Sequence, residues 1–293
     1  MRLADKWKDF EVIDTSSGDK LERWGDVILI RPDPQVIWQT PKNSAWNNAN
    51  AEYIRSSTGG GYWNEKKMPK KEWTVSYKNL RFSIKPTGFK HTGLFPEQAV
   101  NWDFMSEQIK AAWREIKVLN LFAYTGGATL ACAEAGASVC HVDASKGMVA
   151  WARENAKLSG LEQKPIRWIV DDCKKFVERE IRRGSRYDAI VMDPPSYGRG
   201  PNGEIWKLED SVYSLVELCA GVLSENPLFF VLNSYTTGLS ASVMEYILGV
   251  ILKDKYGGEI LSSEIGLPVT NSGYALPCGC TAIWGKSIKN MQK

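Results

Sequence analysis

The stretch that most constrains the fold runs from Lys117 to Asp143. Residues 118–122 are an apolar run, short enough for a buried strand of a parallel sheet. The tripeptide Thr125-Gly126-Gly127 then permits a sharp turn that opens backbone N–H groups to a ligand, and residues 128–134 are typical of a helix. A second apolar run, residues 138–142, ends at Asp143. This order predicts a nucleoside-binding α/β unit, in which the acid accepts hydrogen bonds from ribose hydroxyls.

Two interpretations of the glycine turn are open at this point. The dinucleotide fingerprint G-x-G-x-x-G is absent, because Gly126 and Gly127 are adjacent and no third glycine follows at the required spacing. A nicotinamide cofactor is therefore disfavoured. The glycines either accommodate another nucleoside cofactor or only permit tight packing inside an α/β domain that binds none.

Length and composition restrict the class of protein. The 293 residues are enough for one large and one smaller domain, and 43% hydrophobic with 24% charged residues is typical of a globular protein. There is no run of about 18 apolar residues, and residues 1–8 lack the apolar core of a signal peptide. We therefore expect a cytoplasmic protein with no membrane partner. The six cysteines form no C-x-x-C pair, so neither a disulfide framework nor a metal site is expected.

The hydrophobic pattern changes near residue 84. Before it, short β-rich runs predict small antiparallel strands, including a hairpin of residues 73–77 and 80–84, with an irregular excursion over residues 35–63. We predict that residues 1–84 form a small β-rich N-terminal domain. From residue 85 to residue 293, strands and helices alternate. The predicted fold class is α/β, a doubly wound Rossmann-like sheet that follows the small domain.

Basic residues are concentrated around this boundary. Residues 66–90 contain eight Lys and Arg against one acid, a local charge of 8 − 1 = +7, whereas the whole chain carries only +3. Such a cluster either attracts the phosphates of a polyanion or forms a solvated surface that keeps the protein soluble. If it binds RNA, replacing Lys70 and Lys71 by alanine should lower both the affinity and its salt dependence.

Acidic residues follow two further predicted strands, at the edge of the sheet where ligands bind. Asp172 comes after the third strand, where its carboxylate can accept from the adenine amine while the Cys173 N–H donates to a ring nitrogen; it is equally typical of a helix N-cap. The fourth strand leads into Asp193-Pro194-Pro195-Ser196-Tyr197. Its prolines donate no N–H and hold the chain rigid and extended, so that a carbonyl can accept from a nucleobase amine.

Five motifs therefore co-occur along residues 85–232. They are His91-Thr-Gly-Leu-Phe-Pro-Glu-Gln98, Asn120-Leu-Phe-Ala-Tyr-Thr-Gly126, Val142-Asp-Ala-Ser145, Asp171-Asp172 and Val191-Met-Asp-Pro-Pro-Ser196. As a set they resemble the class I S-adenosylmethionine-dependent methyltransferases, in particular the bacterial large-subunit ribosomal RNA methyltransferase family. The segment that ends at Tyr197 is also similar to the Asp/Asn-Pro-Pro-aromatic motif of nucleic-acid amino-methyltransferases.

This resemblance implies S-adenosylmethionine as the cofactor and RNA as the partner. It implies that Asp143 holds the ribose, that Asp172 holds adenine, and that no metal is needed. The implied catalytic residues are Asp193 and Pro194, which orient the acceptor, and Tyr197, which stacks on the base. The implied cofactor-binding residues are His91, Thr92, Gly93, Phe95, Gln98, Phe122, Ala123, Tyr124, Thr125, Gly126, Gly127, Asp143, Ala144, Ser145, Asn155, Asp172, Cys173 and Asp193.

The sequence departs from the family in two places. Members that make 5-methylcytosine have a cysteine nucleophile after the fifth strand, whereas residues 232–238 here contain none. We therefore predict methylation of a nucleobase nitrogen in ribosomal RNA, unless Cys278 or Cys280 folds back. The family's RNA-binding module is not recognisable in residues 1–84. Two alternatives remain, which are methylation of a protein or small-molecule amine and a non-catalytic role in RNA binding and assembly. The sequence does not determine the oligomeric state, and a dimer is one option.

Overall fold

A computed structural model of the protein describes residues 1–56, 60–69, 71–88, 90–199, 205–236 and 238–288. The chain forms two compact units. The first contains Met1–Val100 and Ile265–Cys278, and the second contains Asn101–Glu264 and Gly279–Lys293. The predicted boundary at residue 84 lies inside the first unit, and the division into functional domains 1–84 and 85–293 stays a prediction.

The first unit is rich in β-strands, as predicted for the N-terminal region. One sheet has the order β2-β3-β4-β5-β6, in which only the β4–β5 pair is parallel, and β7 and β8 form the expected hairpin. The strands are β1 (Arg2–Leu3), β2 (Phe10–Ser16), β3 (Asp19–Trp24), β4 (Val27–Pro32), β5 (Ala51–Arg55), β6 (Gly61–Glu65), β7 (Trp73–Tyr77) and β8 (Leu80–Ile84).

The prediction that residues 35–63 form an irregular excursion was wrong. Within this segment Ser44–Asn48 is a turn of 3-10 helix, β5 is a complete strand, and β6 begins at Gly61. β5 is held by parallel pairing of Ala51 with Leu29 of β4, a contact between distant parts of the chain. Local periodicity cannot show such a pairing, which is why the strands were missed.

A buried ion pair joins β3 to β4 in the first unit. Arg31 donates to both carboxylate oxygens of Glu22, at 2.6 and 2.9 Å, and Trp24 donates to the same carboxylate at 3.1 Å. Burial alone would raise the pKa of Glu22, but Arg31 and Lys20 lower it to about 2. Arg31 also donates to the Lys90 carbonyl at 3.1 Å, so the pair fixes the residue that precedes His91.

The second unit contains a mostly parallel sheet with the order β16-β17-β15-β12-β9-β10-β11. Strand β17 is antiparallel to β15, and β1 pairs with β16 at Ile265 and Gly266 within the first unit. The remaining strands are β9 (Lys117–Leu121), β10 (Ser138–Asp143), β11 (Ile166–Val170), β12 (Ala189–Met192), β13 (Tyr197–Arg199), β14 (Ile205–Lys207), β15 (Phe229–Ser234), β16 (Glu259–Pro268) and β17 (Ala275–Gly285). The helices are α1 (Ala99–Ala111), α2 (Gly127–Glu134), α3 (Lys146–Leu158), α4 (Cys173–Arg182), α5 (Leu208–Ala220), α6 (Ala241–Leu248) and α7 (Asp254–Tyr256).

This topology confirms the predicted α/β class with a doubly wound sheet. β9 lies between β10 and β12, so the strand order reverses at β9. Leu121 at the end of β9 is in register with Val142 of β10 and with Met192 of β12. The residues that follow these three strands therefore meet at one edge of the sheet, where α/β proteins bind ligands.

A buried polar network connects β9, α2 and β10. Asn120 donates to the Thr129 hydroxyl at 2.9 Å, and that hydroxyl lies 2.9 Å from Nδ1 of His141. His141 is fully buried, and its Nε2 has no hydrogen-bond partner among the described residues. Because burial disfavours the charged imidazolium, the pKa of His141 is lowered to about 3. The histidine is therefore neutral in the folded protein near pH 7.

We expect this histidine to make the folded state less stable as the pH falls. The unfolded chain protonates a histidine at a pKa of about 6.5, whereas folded His141 stays neutral to about pH 3, so unfolding takes up a proton between these values. The contribution of His141 alone should lower the free energy of unfolding by about 1.4 kcal/mol per pH unit below about pH 6.5. Urea unfolding at pH 7 and at pH 5 measures this loss.

The matched variant is His141→Asn, whose amide oxygen can accept from Thr129 in place of Nδ1. It should lower the number of protons taken up on unfolding by about one, because an amide does not titrate. The slope of the unfolding free energy against pH should fall accordingly. If the variant keeps the wild-type slope, other groups cause the pH dependence and His141 does not contribute to it.

Candidate active site

The glycine turn between β9 and α2 has an uncommon backbone conformation. Phe122, Tyr124 and Gly126 have φ angles of 54°, 50° and 89°. Aromatic residues rarely adopt positive φ, and such strain persists only where neighbouring contacts impose it. Here the Gly126 N–H donates to the Ala123 carbonyl at 3.0 Å and closes the turn from within. The sequence motif therefore forms a constrained loop directly after the central strand.

Neighbouring side chains hold this turn in place. Buried Asn155 of α3 donates to the Thr125 carbonyl at 2.9 Å, so this predicted cofactor-binding residue contacts the turn itself. A Cβ on Gly126 would lie 3.0 Å from a side chain of α3, and a Cβ on Gly127 would lie 2.5 Å from the Trp102 ring. The two glycines are thus required by close packing as well as by the turn.

Asp143 ends β10 with both carboxylate oxygens directed by the backbone. Its Oδ2 accepts from the Tyr124 N–H at 2.9 Å and its Oδ1 from the Ser145 N–H at 2.8 Å. Ser145, which follows Ala144, is the N-cap of α3. Each carboxylate oxygen keeps a further lone pair, and the side chain is half-buried. The donor set therefore fits a pair of ribose hydroxyls.

The residues after β11 form the start of α4. Asp172 is the N-cap of α4 and accepts from the Lys175 N–H at 2.9 Å. Helix capping is one of the two roles that the sequence predicts for Asp172, the other being adenine binding. Cys173 is the first helical residue, so its N–H has no acceptor within the helix. Its buried Sγ accepts from the Phe122 N–H at 3.2 Å, and burial raises the pKa of this thiol. Cys173 therefore links α4 to the glycine turn.

The segment Asp193-Pro194-Pro195 follows β12 and is fixed by two neighbouring elements. The Trp206 indole N–H donates to the Pro195 carbonyl at 2.6 Å. One residue later, the hydroxyls of Thr236 and Ser196 are 2.8 Å apart. The Trp206 ring also lies 6.2 Å from the Phe122 ring, between centroids. Register places Asp193 beside Phe122, since the preceding Met192 and Leu121 are paired.

Tyr197 begins a small hairpin that the sequence pattern did not indicate. β13 and β14 are antiparallel, with Tyr197 opposite Lys207 and Gly198 opposite Trp206. Because side chains alternate along a strand, Tyr197 and Trp206 are on opposite faces of the hairpin. Tyr197 is 51% exposed, whereas Trp206 is half-buried against the core. The sequence did not indicate a role for Trp206, because a single tryptophan ahead of α5 forms no recognisable pattern.

The predicted segment His91–Gln98 belongs to the first unit. Thr92, Gly93 and Gln98 are buried, and the Thr92 hydroxyl has no hydrogen-bond partner among the described residues. The rings of His91 and Phe95 are 5.3 Å apart. Burial, together with nearby Arg31 and Lys90, lowers the pKa of His91 to about 4. An unsatisfied buried hydroxyl is a group that a polar ligand can pair with.

The end of β15 holds a polar network, within residues 232–238 where the family's cysteine would stand. Asn233 accepts from Asn101 at 3.0 Å and from Thr281 at 2.7 Å. Cys280 is half-buried in β17, and burial raises its pKa; the pKa of Cys278, in the first unit, is raised for the same reason. A raised thiol pKa disfavours the reactive thiolate, so neither cysteine is prepared for attack on a base.

Two kinds of feature are absent from the described residues. They contain no group of three or more His, Cys, Asp or Glu side chains that could hold a metal ion. In the same part of the chain, no helix is both long enough and apolar enough to cross a membrane.

Comparison with known proteins decides the family. Residues 53–218 match the family model described as S-adenosylmethionine-dependent methyltransferase. The chain belongs to this family. The predicted resemblance is thereby confirmed, the protein is a methyltransferase, and S-adenosylmethionine is its cofactor.

Solved structures agree with the assignment. The S-adenosylmethionine-dependent methyltransferase from Agrobacterium tumefaciens is 38% identical, with a TM-score of 0.91 over 98% of this chain and 93% of that chain. A methyltransferase complexed with SAH is 18% identical and has the same fold, with a TM-score of 0.70 over 95% of this chain and 76% of that chain. Nearly the full length of the chain, 98%, thus has a counterpart in a solved structure.

A curated relative is ribosomal RNA large subunit methyltransferase K/L from Shewanella baltica. It is 34% identical over 139 residues, which are 47% of this chain and 18% of that protein. The protein of the same name from Shewanella sp. strain MR-4 is 33% identical over 140 residues. The match therefore spans about a fifth of the length of these relatives, and it concerns one part of a much longer protein.

We expect Gly127→Ala to destabilise the methyltransferase, because the new Cβ would lie 2.5 Å from the Trp102 ring. Overpacking of this kind costs about 1–3 kcal/mol. The control is Gly147→Ala in α3, where the nearest atom is 3.8 Å from the new Cβ. It should stabilise the protein by about 0.5–1 kcal/mol through the better helix propensity of alanine. Thermal unfolding measures both, and equal midpoints for the two variants would contradict the packing explanation.

Proposed function

We propose that this methyltransferase transfers a methyl group to a nucleobase nitrogen in ribosomal RNA. The observation that carries the proposal is the segment Asp193-Pro194-Pro195, fixed at its end by Trp206 and placed in register with the glycine turn. The names of the Shewanella relatives support a ribosomal RNA substrate. RNA is thus the proposed partner and the cytoplasm the proposed location.

We assign the cofactor contacts to residues at the ends of four strands, β9, β10, β11 and β12, and to Asn155 of α3. Asp143 accepts from the ribose hydroxyls, while Asp172 and the Cys173 N–H bind adenine. The hydrogen bonds from Tyr124 and Ser145 fix the Asp143 carboxylate before any ligand arrives, which lowers the cost of ordering it. The remaining proposed contacts in the second unit are Phe122, Ala123, Tyr124, Thr125, Gly126, Gly127, Ala144, Ser145, Asn155 and Asp193. The role predicted from the sequence for His91, Thr92, Gly93, Phe95 and Gln98 stays a prediction.

The chemistry at the acceptor requires positioning more than covalent help. When bound, S-adenosylmethionine supplies a sulfonium methyl group, to which a nitrogen lone pair forms the new bond while the electrons of the broken C–S bond go to sulfur. The Pro194 carbonyl and the Asp193 carboxylate accept from the acceptor N–H groups and direct the lone pair. Asp193 can then take the proton that the methylated amine loses. Tyr197, with its exposed ring, stacks on the base.

This scheme agrees with the absence of a prepared nucleophile. Attack by carbon would require a thiolate to add to the base first, but burial raises the pKa of Cys278 and Cys280. A neutral amine carries its own lone pair and needs no enzyme adduct. A nitrogen acceptor is therefore the acceptor that these residues can serve.

The basic cluster of residues 66–90 supports an RNA substrate. Its single acid, Glu72, lies 3.5 Å from Lys85 and accepts from Ser83, so that carboxylate is already engaged. Lys67 and Lys71 are exposed, whereas Lys70 lies outside the described residues. The surplus positive charge can attract phosphates by counterion release.

We expect Asp143→Ala to weaken S-adenosylmethionine binding about tenfold or more, because the ribose hydroxyls lose a charged acceptor. Isothermal titration calorimetry measures the dissociation constant. Asp143→Asn keeps one acceptor oxygen for the Tyr124 or Ser145 N–H and separates loss of charge from loosening of the turn. The control is Asp254→Ala, at the start of α7. Equal affinity of wild type and Asp143→Ala would remove Asp143 from the cofactor site.

The substrate is tested by mass spectrometry of nucleosides from ribosomal RNA of cells with and without the gene. We expect one methylguanosine or methyladenosine to disappear, and to return with the wild-type protein but not with Asp193→Ala. Loss of 5-methylcytosine, with an adduct trapped on Cys278 or Cys280 by 5-fluorocytosine RNA, would contradict a nitrogen acceptor. Unchanged RNA together with methylation of protein or small-molecule amines would favour the alternative substrates.

A further inference from the structure

We infer that Trp206 is a positioning residue for the methyl acceptor. It holds the segment Asp193-Pro194-Pro195 through one hydrogen bond and closes the apolar side of the transfer site together with Phe122. The inference rests on the proposed role of Asp193 and Pro194 in binding the acceptor. It does not require that the acceptor is RNA.

The first step is the hydrogen bond from the Trp206 indole to the Pro195 carbonyl, 2.6 Å long. Two consecutive prolines cannot be held through their own N–H groups, since they have none. The ring of Pro195 already fixes the φ angle of this residue. A hydrogen bond to the Pro195 carbonyl therefore restricts ψ, its one remaining backbone torsion. The orientation of the preceding Pro194 carbonyl relative to this anchor is thereby set.

The second step is the position of the indole ring. Trp206 is opposite Gly198 in the hairpin, and its face of the hairpin packs against the core. Its ring is tilted by 37° to the ring of Phe122 at 6.2 Å. Phe122 and Asp193 each follow directly on the paired residues Leu121 and Met192, so the two rings pack next to the segment that begins at Asp193. Excluding water there strengthens the polar contacts of Asp193 with an acceptor.

A second contact fixes the same segment from another element. The Thr236 hydroxyl, in the loop after β15, lies 2.8 Å from the Ser196 hydroxyl, and the Thr236 N–H donates to Ser234 at 3.1 Å. The segment is thus held by β14 and by the loop after β15. In contrast, the proposed ribose and adenine contacts come from β10 and α4, beyond β9 in the sheet order. Trp206 should therefore affect the acceptor more than the cofactor.

The test is Trp206→Phe, which keeps an aromatic ring on the side of Phe122 and removes the N–H together with the smaller ring of the indole. We expect amide exchange of residues 196–198 to become about tenfold faster or more, because the anchor of this segment is lost. The affinity for S-adenosylmethionine, from calorimetry, should stay within about twofold. With ribosomal RNA from cells lacking the gene, kcat should fall by about tenfold, since a misplaced acceptor loses rate even when it is bound.

The matched control is Trp113→Phe, the same exchange at a residue that is 94% exposed. It should leave amide exchange, affinity and kcat at wild-type values. Should Trp206→Phe fail to fold, Thr236→Val replaces it, because it removes a hydrogen bond to Ser196, the residue that follows the segment, with the same direction expected for all three measurements.

Two results would overturn the inference. One is a Trp206→Phe protein with wild-type amide exchange and wild-type kcat. The other is a parallel loss of cofactor affinity and kcat, which would assign Trp206 to the cofactor site or to the fold. If the wild-type protein methylates no RNA, the proposed substrate is wrong, and exchange at residues 196–198 alone decides the role of Trp206. Faster exchange in Trp206→Phe than in Trp113→Phe supports it, and equal exchange overturns it.

Discussion

The parallel pairing of β9 with β10 on one side and β12 on the other is the constraint on which the site depends. Leu121 is in register with both Val142 and Met192. The next residue on each chain segment, which is the start of the glycine turn, Asp143 or Asp193, therefore lies at the same edge of the sheet. Neighbouring strands are about 4.8 Å apart, which brings these groups within reach of one ligand. A shift of β9 by one residue in register would turn each of its side chains to the opposite face of the sheet, and both faces are buried. It would also displace Asn120 from Thr129.

Strain in the glycine turn is held by the groups that organise the site. Phe122 and Tyr124 adopt left-handed conformations that cost about 1–3 kcal/mol each. The opposing contacts are the Phe122 N–H to Cys173 Sγ, the Tyr124 N–H to Asp143, and Asn155 to the Thr125 carbonyl. Each of these bonds joins the turn to a different element, α4, β10 or α3. The turn, the carboxylate and the start of α4 are therefore ordered together.

Features that depend on local chemistry could be predicted from the sequence, whereas features that depend on distant pairing could not. The strand before Gly126, the acid at Asp143 and the rigid prolines follow from apolar runs, glycine and the proline ring, each within a few residues. β5 was missed because it is held by β4, and Trp206 because its importance arises from the Pro195 carbonyl and from Phe122. Asn155 is a buried side chain that reaches a turn thirty positions earlier in the chain. The cofactor contacts of individual residues stay predictions.

The network at the end of β15 supports the proposed nitrogen acceptor in physical terms. Asn233 is buried and is the acceptor shared by Asn101 and Thr281, at 3.0 and 2.7 Å. A cysteine there would remove that acceptor, and leaving a buried donor unsatisfied costs about 1–3 kcal/mol. The new thiol would also be buried, as Cys132, Cys173 and Cys219 are, and burial raises the pKa of each of these thiols. A thiolate nucleophile at this position would thus need a rebuilt pocket, whereas the proposed amine acceptor needs only the carbonyl and carboxylate that we assign to Pro194 and Asp193.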